Sequence, residues 1–273
     1  MMDCTGFLQW ALPRLRLRWE GYRKVSRQVC KRLAHRMEKL GLPDFSAYKI
    51  YLDSNPGEWR VLDSLCGITI ARFYRDRRVF DALRFQVLPS LADYVLSAGG
   101  REVLCWSAGC ASGEEPYTLQ ILWRTDVVTA ILREIPLHII ATDVNEKLLE
   151  RGRQGHYPGS SLRDLPEQLR EAFIPCNDFY SIREIFKENL EFLRQDIRLQ
   201  LPEGTFHLIL CRNLVFTYFD EGLQQETLRS ILAKLLPGGI LVIGRRESLP
   251  AGTAGLMRVS DTTGIFRKEK NGK

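Results

Sequence analysis

The sixteen residues from Glu102 to Tyr117, EVLCWSAGCASGEEPY, constrain the fold more than any other part of this chain. Val103 to Trp106 form a short apolar run of the kind that fills a buried parallel strand. From Ser107 the composition changes at once to small residues: Ala108, Gly109, Cys110, Ala111, Ser112 and Gly113. Glu114, Glu115 and Pro116 then open a segment with helically spaced leucine and isoleucine, the acids and the proline standing in the first turn, where a helix N-terminus favours them. Strand, glycine turn and helix in that order build a nucleotide-type pocket, because backbone without Cβ atoms at Gly109 and Gly113 admits a ligand at the carboxyl end of the strand. The loop has no lysine after its glycines and no GxGxxG, and it carries two carboxylates at its exit. That chemistry disfavours phosphate and suits a ligand with hydroxyls and a cationic centre. A GxxxG pair is also what a tight turn or close helix packing shows, so the loop alone leaves both readings open.

The same alternation continues downstream. LHIIA at Leu137 to Ala141 is a second apolar run and ends in Thr142 and Asp143; FHLILC at Phe206 to Cys211 is a third and delivers Arg212 and Asn213 at its end. A helix from Glu221 to Leu236 stops at Pro237, Gly238 and Gly239, and ILVIG and GIFRK supply two further strands. Asp143 stands where ribose hydroxyls are usually held, or it caps the helix NEKLLERG. The helix after the glycine loop is expected to run to about Arg133. Between Pro166 and Ile197 the pattern is irregular, and FYSIREIF and LEFLRQDI read as short strands of a small insertion.

The front of the chain is different. Lysine and arginine total 39 against 33 acids, but residues 1 to 80 hold 16 of the bases and only 8 of the acids. Residues 13 to 40 read as a cationic helical region whose Val25, Val29, Leu33, Met37 and Leu40 make one apolar stripe, with Gly41 and Pro43 stopping it. Its basic side is either a solvated face or a docking surface for an anionic partner: protein carboxylates, nucleic acid or a membrane surface. DFSAYKIYL and PGEWRVLDSL read as two more helices. In ITIARFYRDRRVFDAL, Arg72, Arg75, Arg77 and Arg78 flank Phe73 and Tyr74, and an arginine fork such as Arg75 can hold a carboxylate with two hydrogen bonds. Seven cysteines without a CxxC pair and only four histidines argue against a disulfide framework or a zinc site. No apolar stretch approaches the ~20 residues of a membrane span, and Met1 to Leu12 lacks a cationic leader. These features predict a reduced, cytoplasmic chain of two domains.

RFYRD at Arg72 to Asp76, WSAGCASGEEPY at Trp106 to Tyr117, ATD at Ala141 to Asp143, LCRN at Leu210 to Asn213, YFD at Tyr218 to Asp220 and LLPGGILVIGRRESL at Leu235 to Leu249 together resemble the CheR-type chemotaxis-receptor glutamate methyltransferases. The resemblance runs from about Gly21 to Phe266. It implies an α/β fold: a Rossmann-like class I methyltransferase domain with a mostly parallel sheet over residues 89–273, preceded by a small basic all-α domain over residues 1–88, with a small antiparallel β insertion at about 170–196. It implies S-adenosyl-L-methionine as cofactor. Arg75 and Glu115 would hold its amino-acid end and Asp143 its ribose, while Gly109, Asp196, Ile197, Arg212 and Asn213 would line the remainder. Arg75 and Tyr218 would stand at the chemistry. Arg27, Lys31 and Arg32 would meet an acidic helical protein such as a chemoreceptor, whose glutamate side chains become methyl esters. No metal, membrane insertion or nucleic acid enters this reading.

Three departures modify it. Where the family carries a polar pair, Asn and Thr or Ser, this chain has Thr69 and Ala71, so one cofactor hydrogen bond is expected to be lost. The spacing from Asn213 to Tyr218 is one residue longer than usual, which leaves Thr217 or another side chain as alternatives to Tyr218. The short insertion near Cys176 to Ile185 implies no tethering to a receptor tail peptide. An enzyme of the same fold with another acceptor, or a module that binds S-adenosylmethionine without turnover, are the competing readings.

Overall fold

The computed structural model of the chain describes residues 2–131, 135–259 and 264–270. The chain divides into two compact units, Met1–Ile70 with Thr217–Gln224, and Ala71–Phe216 with Gln225–Lys273.

The first unit is helical: α1 (Cys4–Ala11), α2 (Trp19–Tyr22), α3 (Ser26–Leu40), α4 (Phe45–Ser54) and α5 (Glu58–Cys66). Asp3 and Asp44 act as N-caps of α1 and α4, accepting from the backbone N–H of Gly6 and Ala47. In α3 the apolar stripe buries Val29, Leu33 and Met37, and Gly41 ends the helix in the left-handed conformation. The expected continuous helical region from residue 13 is interrupted, because Arg16 turns left-handed and the chain folds back. The polar centre of this unit is Glu58, buried, which accepts two hydrogen bonds from Arg36 and one at 2.8 Å from the Tyr48 hydroxyl. The Arg36 guanidinium holds the Glu58 carboxyl below the usual carboxylate range, against the effect of burial. Tyr48 in turn packs on Phe7, and Phe7 on Phe45, with ring centroids 5.4 and 5.2 Å apart.

One expectation is overturned here. Cys4 and Cys30 form a disulfide that ties α1 to α3, while Cys66, Cys105, Cys110, Cys176 and Cys211 are free. The pairing joins residues 26 positions apart through the fold of the helices, which no local cysteine spacing announces. Residues 217–224 complete this unit by backbone pairing: the Arg18 N–H donates to the Tyr218 carbonyl at 2.9 Å and the Asp220 N–H to the Arg16 carbonyl at 2.8 Å. Gly21 allows that approach, since a Cβ there would stand 2.3 Å from the Thr217 carbonyl oxygen.

The second unit opens with α6 (Arg77–Ala82), a π-helical turn (Leu83–Val87) and α7 (Leu88–Ser97) as one uninterrupted helical stretch. The boundary expected at residue 88 falls inside it. A seven-stranded sheet follows in the order β6-β2-β1-β7-β8-β10-β9, formed by β1 (Val103–Ala108), β2 (Leu137–Asp143), β6 (Leu190–Arg194), β7 (Phe206–Cys211), β8 (Leu235–Ile243), β9 (Leu256–Arg258) and β10 (Ile265–Lys268). The first five in space are parallel, and β10 and β9 run antiparallel to their neighbours. The expected strands appear where the apolar runs are. LEFLR differs from expectation: it is the edge strand β6, parallel to β2, and not part of the insertion. The insertion is a separate antiparallel sheet of β3 (His156–Pro158), β5 (Phe179–Ile182) and β4 (Phe173–Cys176). Helices α8 (Glu114–Leu122), α9 (Val128–Ile131), α10 (Glu146–Gln154), α11 (Val215–Tyr218) and α12 (Glu221–Lys234) connect the strands. The expected end near Arg133 of the helix after β1 lies outside the described residues.

The strand order reverses at β1: the chain moves outward to β2 and β6, then returns to β7 on the other side. Ligands of open α/β sheets bind at the carboxyl ends of the strands beside such a point.

Alkylation of the denatured, unreduced protein is expected to modify five cysteines and, after reduction, seven; mass spectrometry reads the difference. Opening a loop of this length is expected to lower stability by about 3 to 4 kcal/mol, measured as the shift of a urea unfolding curve in dithiothreitol.

Candidate functional site

At the end of β1 the chain turns through Gly109 (φ 73°), Ala111 (φ 51°) and Gly113 (φ 88°). The N–H groups of Gly109 and Cys110 both donate to the Thr142 carbonyl, at 2.8 and 3.0 Å, which clamps the loop to β2. Asp143 finishes the clamp: one carboxylate oxygen accepts from the Ala111 N–H and the other from the Asn145 N–H, each at 2.9 Å. The two alternatives for Asp143 thereby separate. The N-cap of α10 is Asn145, whose side chain accepts from the N–H groups of Lys147 and Leu148, and Asp143 stands outside the helix. Burial raises the Asp143 carboxyl above its ordinary range, and the backbone N–H bonds only partly oppose it.

Glu115, in the first turn of α8, accepts from the Ser107 hydroxyl at 2.8 Å and, on its other oxygen, from Arg212 at 2.9 Å. The Arg212 side chain is only 3% exposed. Its second terminal nitrogen donates at 2.9 Å to both the Arg75 carbonyl and the Asp76 carboxylate, its plane lies 4.9 Å from the Phe80 ring, and its Nε is buried with no hydrogen-bond partner. Arg212 therefore joins the end of β7 to α8 and to the RFYRD turn. In that turn Tyr74 (φ 59°) and Asp76 (φ 65°) are both left-handed, so half-buried Arg75 sits between two strained residues. The turn is fixed by Tyr74, whose N–H meets the Thr118 hydroxyl and whose hydroxyl donates to Asp81 at 2.8 Å.

Asp196, in the loop after β6, is gripped by Arg198 through Nε and a terminal nitrogen, and also accepts from the Arg198 N–H. Burial pushes its carboxyl up, but the Arg198 contacts outweigh it and hold the group below the ordinary range. The preceding Gln195 donates its N–H to the Asp143 carbonyl at 3.1 Å, and Ile197 follows half-buried. Asn213 is left-handed at φ 55°, and its N–H donates at 2.8 Å to Glu247.

Gly109, Asp143, Asp196, Ile197, Arg212 and Asn213 thus lie at or just past the carboxyl ends of strands of one sheet, Glu115 in the first turn of α8, and Arg75 is tied to this edge through Arg212. Half-buried Ala71 belongs to the same unit. Thr69, also half-buried, and Tyr218 belong to the first unit, where the Tyr218 ring packs 5.1 Å from that of Tyr22. On α3, Arg27 and Lys31 are exposed, whereas Arg32 donates to the carbonyls of Leu65 and Gly67 at the end of α5. Sequence reasoning missed Glu247. The available signal was that it is the single acid between Ile243 and Asp261, just past the end of a strand.

Two carboxylates and an arginine around a glycine turn, with no lysine, match a ligand that has hydroxyls, an ammonium group and a carboxylate. Taken with the strand order and its antiparallel penultimate strand, this is the architecture of a class I S-adenosylmethionine-dependent methyltransferase. Residues 69–265 match the family model described as CheR methyltransferase, SAM binding domain. The chain is 35% identical to a chemotaxis protein methyltransferase of Listeria monocytogenes over 68% of each protein. It is 32% identical to that of Escherichia coli (strain K12) over 81% of this chain and 76% of the relative. Among solved structures, the N-methyltransferase NodS from Bradyrhizobium japonicum WM9 is 16% identical over 70% of this chain and 90% of its own, with a TM-score of 0.38. The chain belongs to the CheR methyltransferase family and is an S-adenosylmethionine-dependent methyltransferase.

Removing Arg212 leaves Glu115 without its cation and the Arg75 carbonyl without its donor. Arg212→Ala is expected to lower stability by roughly 3 to 5 kcal/mol, read from the midpoint of urea unfolding at constant slope.

Proposed function

We propose that this enzyme transfers the methyl group to glutamate side chains of an acidic helical protein of the chemoreceptor kind, giving methyl esters. The observation that carries this proposal is that two carboxylates meet the end of β1 and its turn, Glu115 through the Ser107 hydroxyl and Asp143 through the Ala111 N–H, while Arg212 ties Glu115 to the Arg75 turn. Arg75 and Glu115 would take the carboxylate and ammonium of the cofactor's amino-acid end. Asp143 would take the ribose hydroxyls, Asp196 and Ile197 the adenine side, and Gly109, Arg212 and Asn213 would complete the lining; Thr69 and Ala71 would flank it with one hydrogen bond fewer than the family pattern. When bound, S-adenosylmethionine supplies a sulfonium methyl group that a carboxylate can displace.

The acceptor chemistry places few demands on the protein. A glutamate, with a reference pKa of about 4.3, is already anionic at neutral pH and needs neither a general base nor a metal. What the chain must provide is orientation, which in ideal intramolecular reactions supplies roughly 7 to 11 kcal/mol. Arg75 and Tyr218 are the residues assigned to that task. The exposed Arg27 and Lys31 of α3, with Arg32 beside them, would meet the acidic partner; a buried ammonium or guanidinium is not required for that, since steering acts at the surface. The similarity to the chemotaxis protein methyltransferases of Listeria and Escherichia supports a chemotaxis substrate. The cytoplasm is the proposed place of action. Five free cysteines fit a reducing compartment, and the Cys4–Cys30 bond weighs the other way.

With methyl-labelled S-adenosylmethionine and a chemoreceptor cytoplasmic fragment, label is expected on the protein and is expected to leave as methanol in mild alkali. Alkali-stable label would assign the enzyme to another acceptor chemistry, which the longer Asn213 to Tyr218 spacing would then explain. Arg75→Ala is expected to abolish labelling. The insertion strands are only three and four residues long, and tethering to a receptor tail peptide is not part of this proposal. Calorimetry with an isolated tail peptide is expected to give no heat of binding; appreciable affinity would overturn that part alone.

A further inference from the structure

β7 and β8 are parallel neighbours, paired up to Cys211 opposite Ile243. The next residues, Arg212–Asn213 and Gly244, leave the sheet side by side. One oxygen of Glu247 accepts from the N–H of Asn213 at 2.8 Å and from the N–H of Gly244, while the Glu247 N–H donates to the Gly244 carbonyl at 2.9 Å. A single carboxylate oxygen therefore ties the exits of two strands together. Gly244 makes room for it: a Cβ there would stand 2.6 Å from that same oxygen and 3.0 Å from the Asn213 side-chain oxygen. Asn213 lies in the left-handed region, which asparagine tolerates better than other non-glycine residues and which the bond from its N–H to Glu247 pins here.

We infer that Glu247 is a positioning residue for the cofactor: its carboxylate fixes the left-handed turn at Asn213 and through it the end of β7 that carries Arg212. This inference rests on the assignment of Arg212 and Asn213 to the cofactor lining. Charge-assisted hydrogen bonds to backbone N–H groups are about twice as strong as neutral ones. Without the acceptor, two N–H groups lose their partner and the turn is free to relax towards ordinary backbone. A glutamine retains a carbonyl oxygen at the same reach and can accept the same two bonds, more weakly. Gly244→Ala leaves the carboxylate in the sequence but occupies its seat.

The test compares wild type, Glu247→Ala, Glu247→Gln and Gly244→Ala by calorimetric titration with S-adenosylhomocysteine, by hydrogen exchange at the Asn213 and Gly244 amides without ligand, and by steady-state kinetics. Glu247→Ala and Gly244→Ala are expected to weaken binding by about tenfold or more, with KM for the methyl donor rising in step and kcat within about twofold. Both amides are expected to lose protection, and Glu247→Gln to recover most of the affinity and protection. Unchanged affinity in Glu247→Ala, loss of the same size in Glu247→Gln, or a fall in kcat at constant affinity would overturn the inference. If wild type itself does not bind S-adenosylhomocysteine, it is the cofactor assignment that falls, and the exchange data still report whether the brace exists.

Discussion

A buried guanidinium is costly unless its charge is balanced, and Arg212, whose two terminal nitrogens are paired while its Nε is not, is where this constraint is sharpest. Its side chain is almost wholly enclosed, against the Phe80 ring on one face. Compensation comes from three separate places: the Glu115 carboxylate on α8, the Asp76 carboxylate, and the Arg75 carbonyl. None of these is close to Arg212 in sequence. The requirement to neutralise one charge therefore dictates how the strand end, the first turn of α8 and the RFYRD turn are arranged. Glu115 in turn draws in the Ser107 hydroxyl, so the polar chain continues to the last turn of β1.

The strain in the backbone follows the same geography. Among the described residues seven non-glycine residues have positive φ, and four of them, Tyr74, Asp76, Ala111 and Asn213, lie in the turns around this network. Each is met by a side chain that compensates for it. Asp143 accepts from the Ala111 N–H, Glu247 from the Asn213 N–H and the Thr118 hydroxyl from the Tyr74 N–H, and Arg212 donates to the Asp76 carboxylate. Such conformations persist where the surroundings over-determine them. A site built from turns that are pinned in this way is preorganised, and little ordering is left to be done when a ligand arrives.

How much of this was legible in the sequence depends on the range of the interaction. β1, its glycine turn and α8 could be read because an apolar run, small residues and first-turn acids are all local signals. The same holds for β2 and β7, which are largely buried and carry apolar runs broken only by one histidine each. LEFLR was misplaced because an edge strand is half-exposed, so its alternating pattern resembles an independent hairpin strand. The Cys4–Cys30 bond and the break at Arg16 depend on helix packing and could not be read locally. Glu247 could be seen only as an isolated acid, because its partners are backbone N–H groups on another strand. Arg32 shows the converse: composition groups it with Arg27 and Lys31, yet its guanidinium is engaged by carbonyls at the end of α5.

The three carboxylates of the site differ in what balances them, and the difference is informative. Glu115 has the Arg212 guanidinium, and Asp196 has Arg198 on both oxygens, which holds its carboxyl low. The bonds to Asp143 come from backbone N–H groups, those of Ala111, Asn145 and Val144, and burial leaves its carboxyl raised. A group whose folded pKa lies above its unfolded value is one whose charge the fold disfavours, here through burial. A pair of neutral hydroxyl donors would stabilise that ionised form without adding a cation. Of the three acids, then, Asp143 is the one that burial leaves raised, and under the proposed assignment it is the one that would take the ribose hydroxyls, with Asp196 already paired with Arg198.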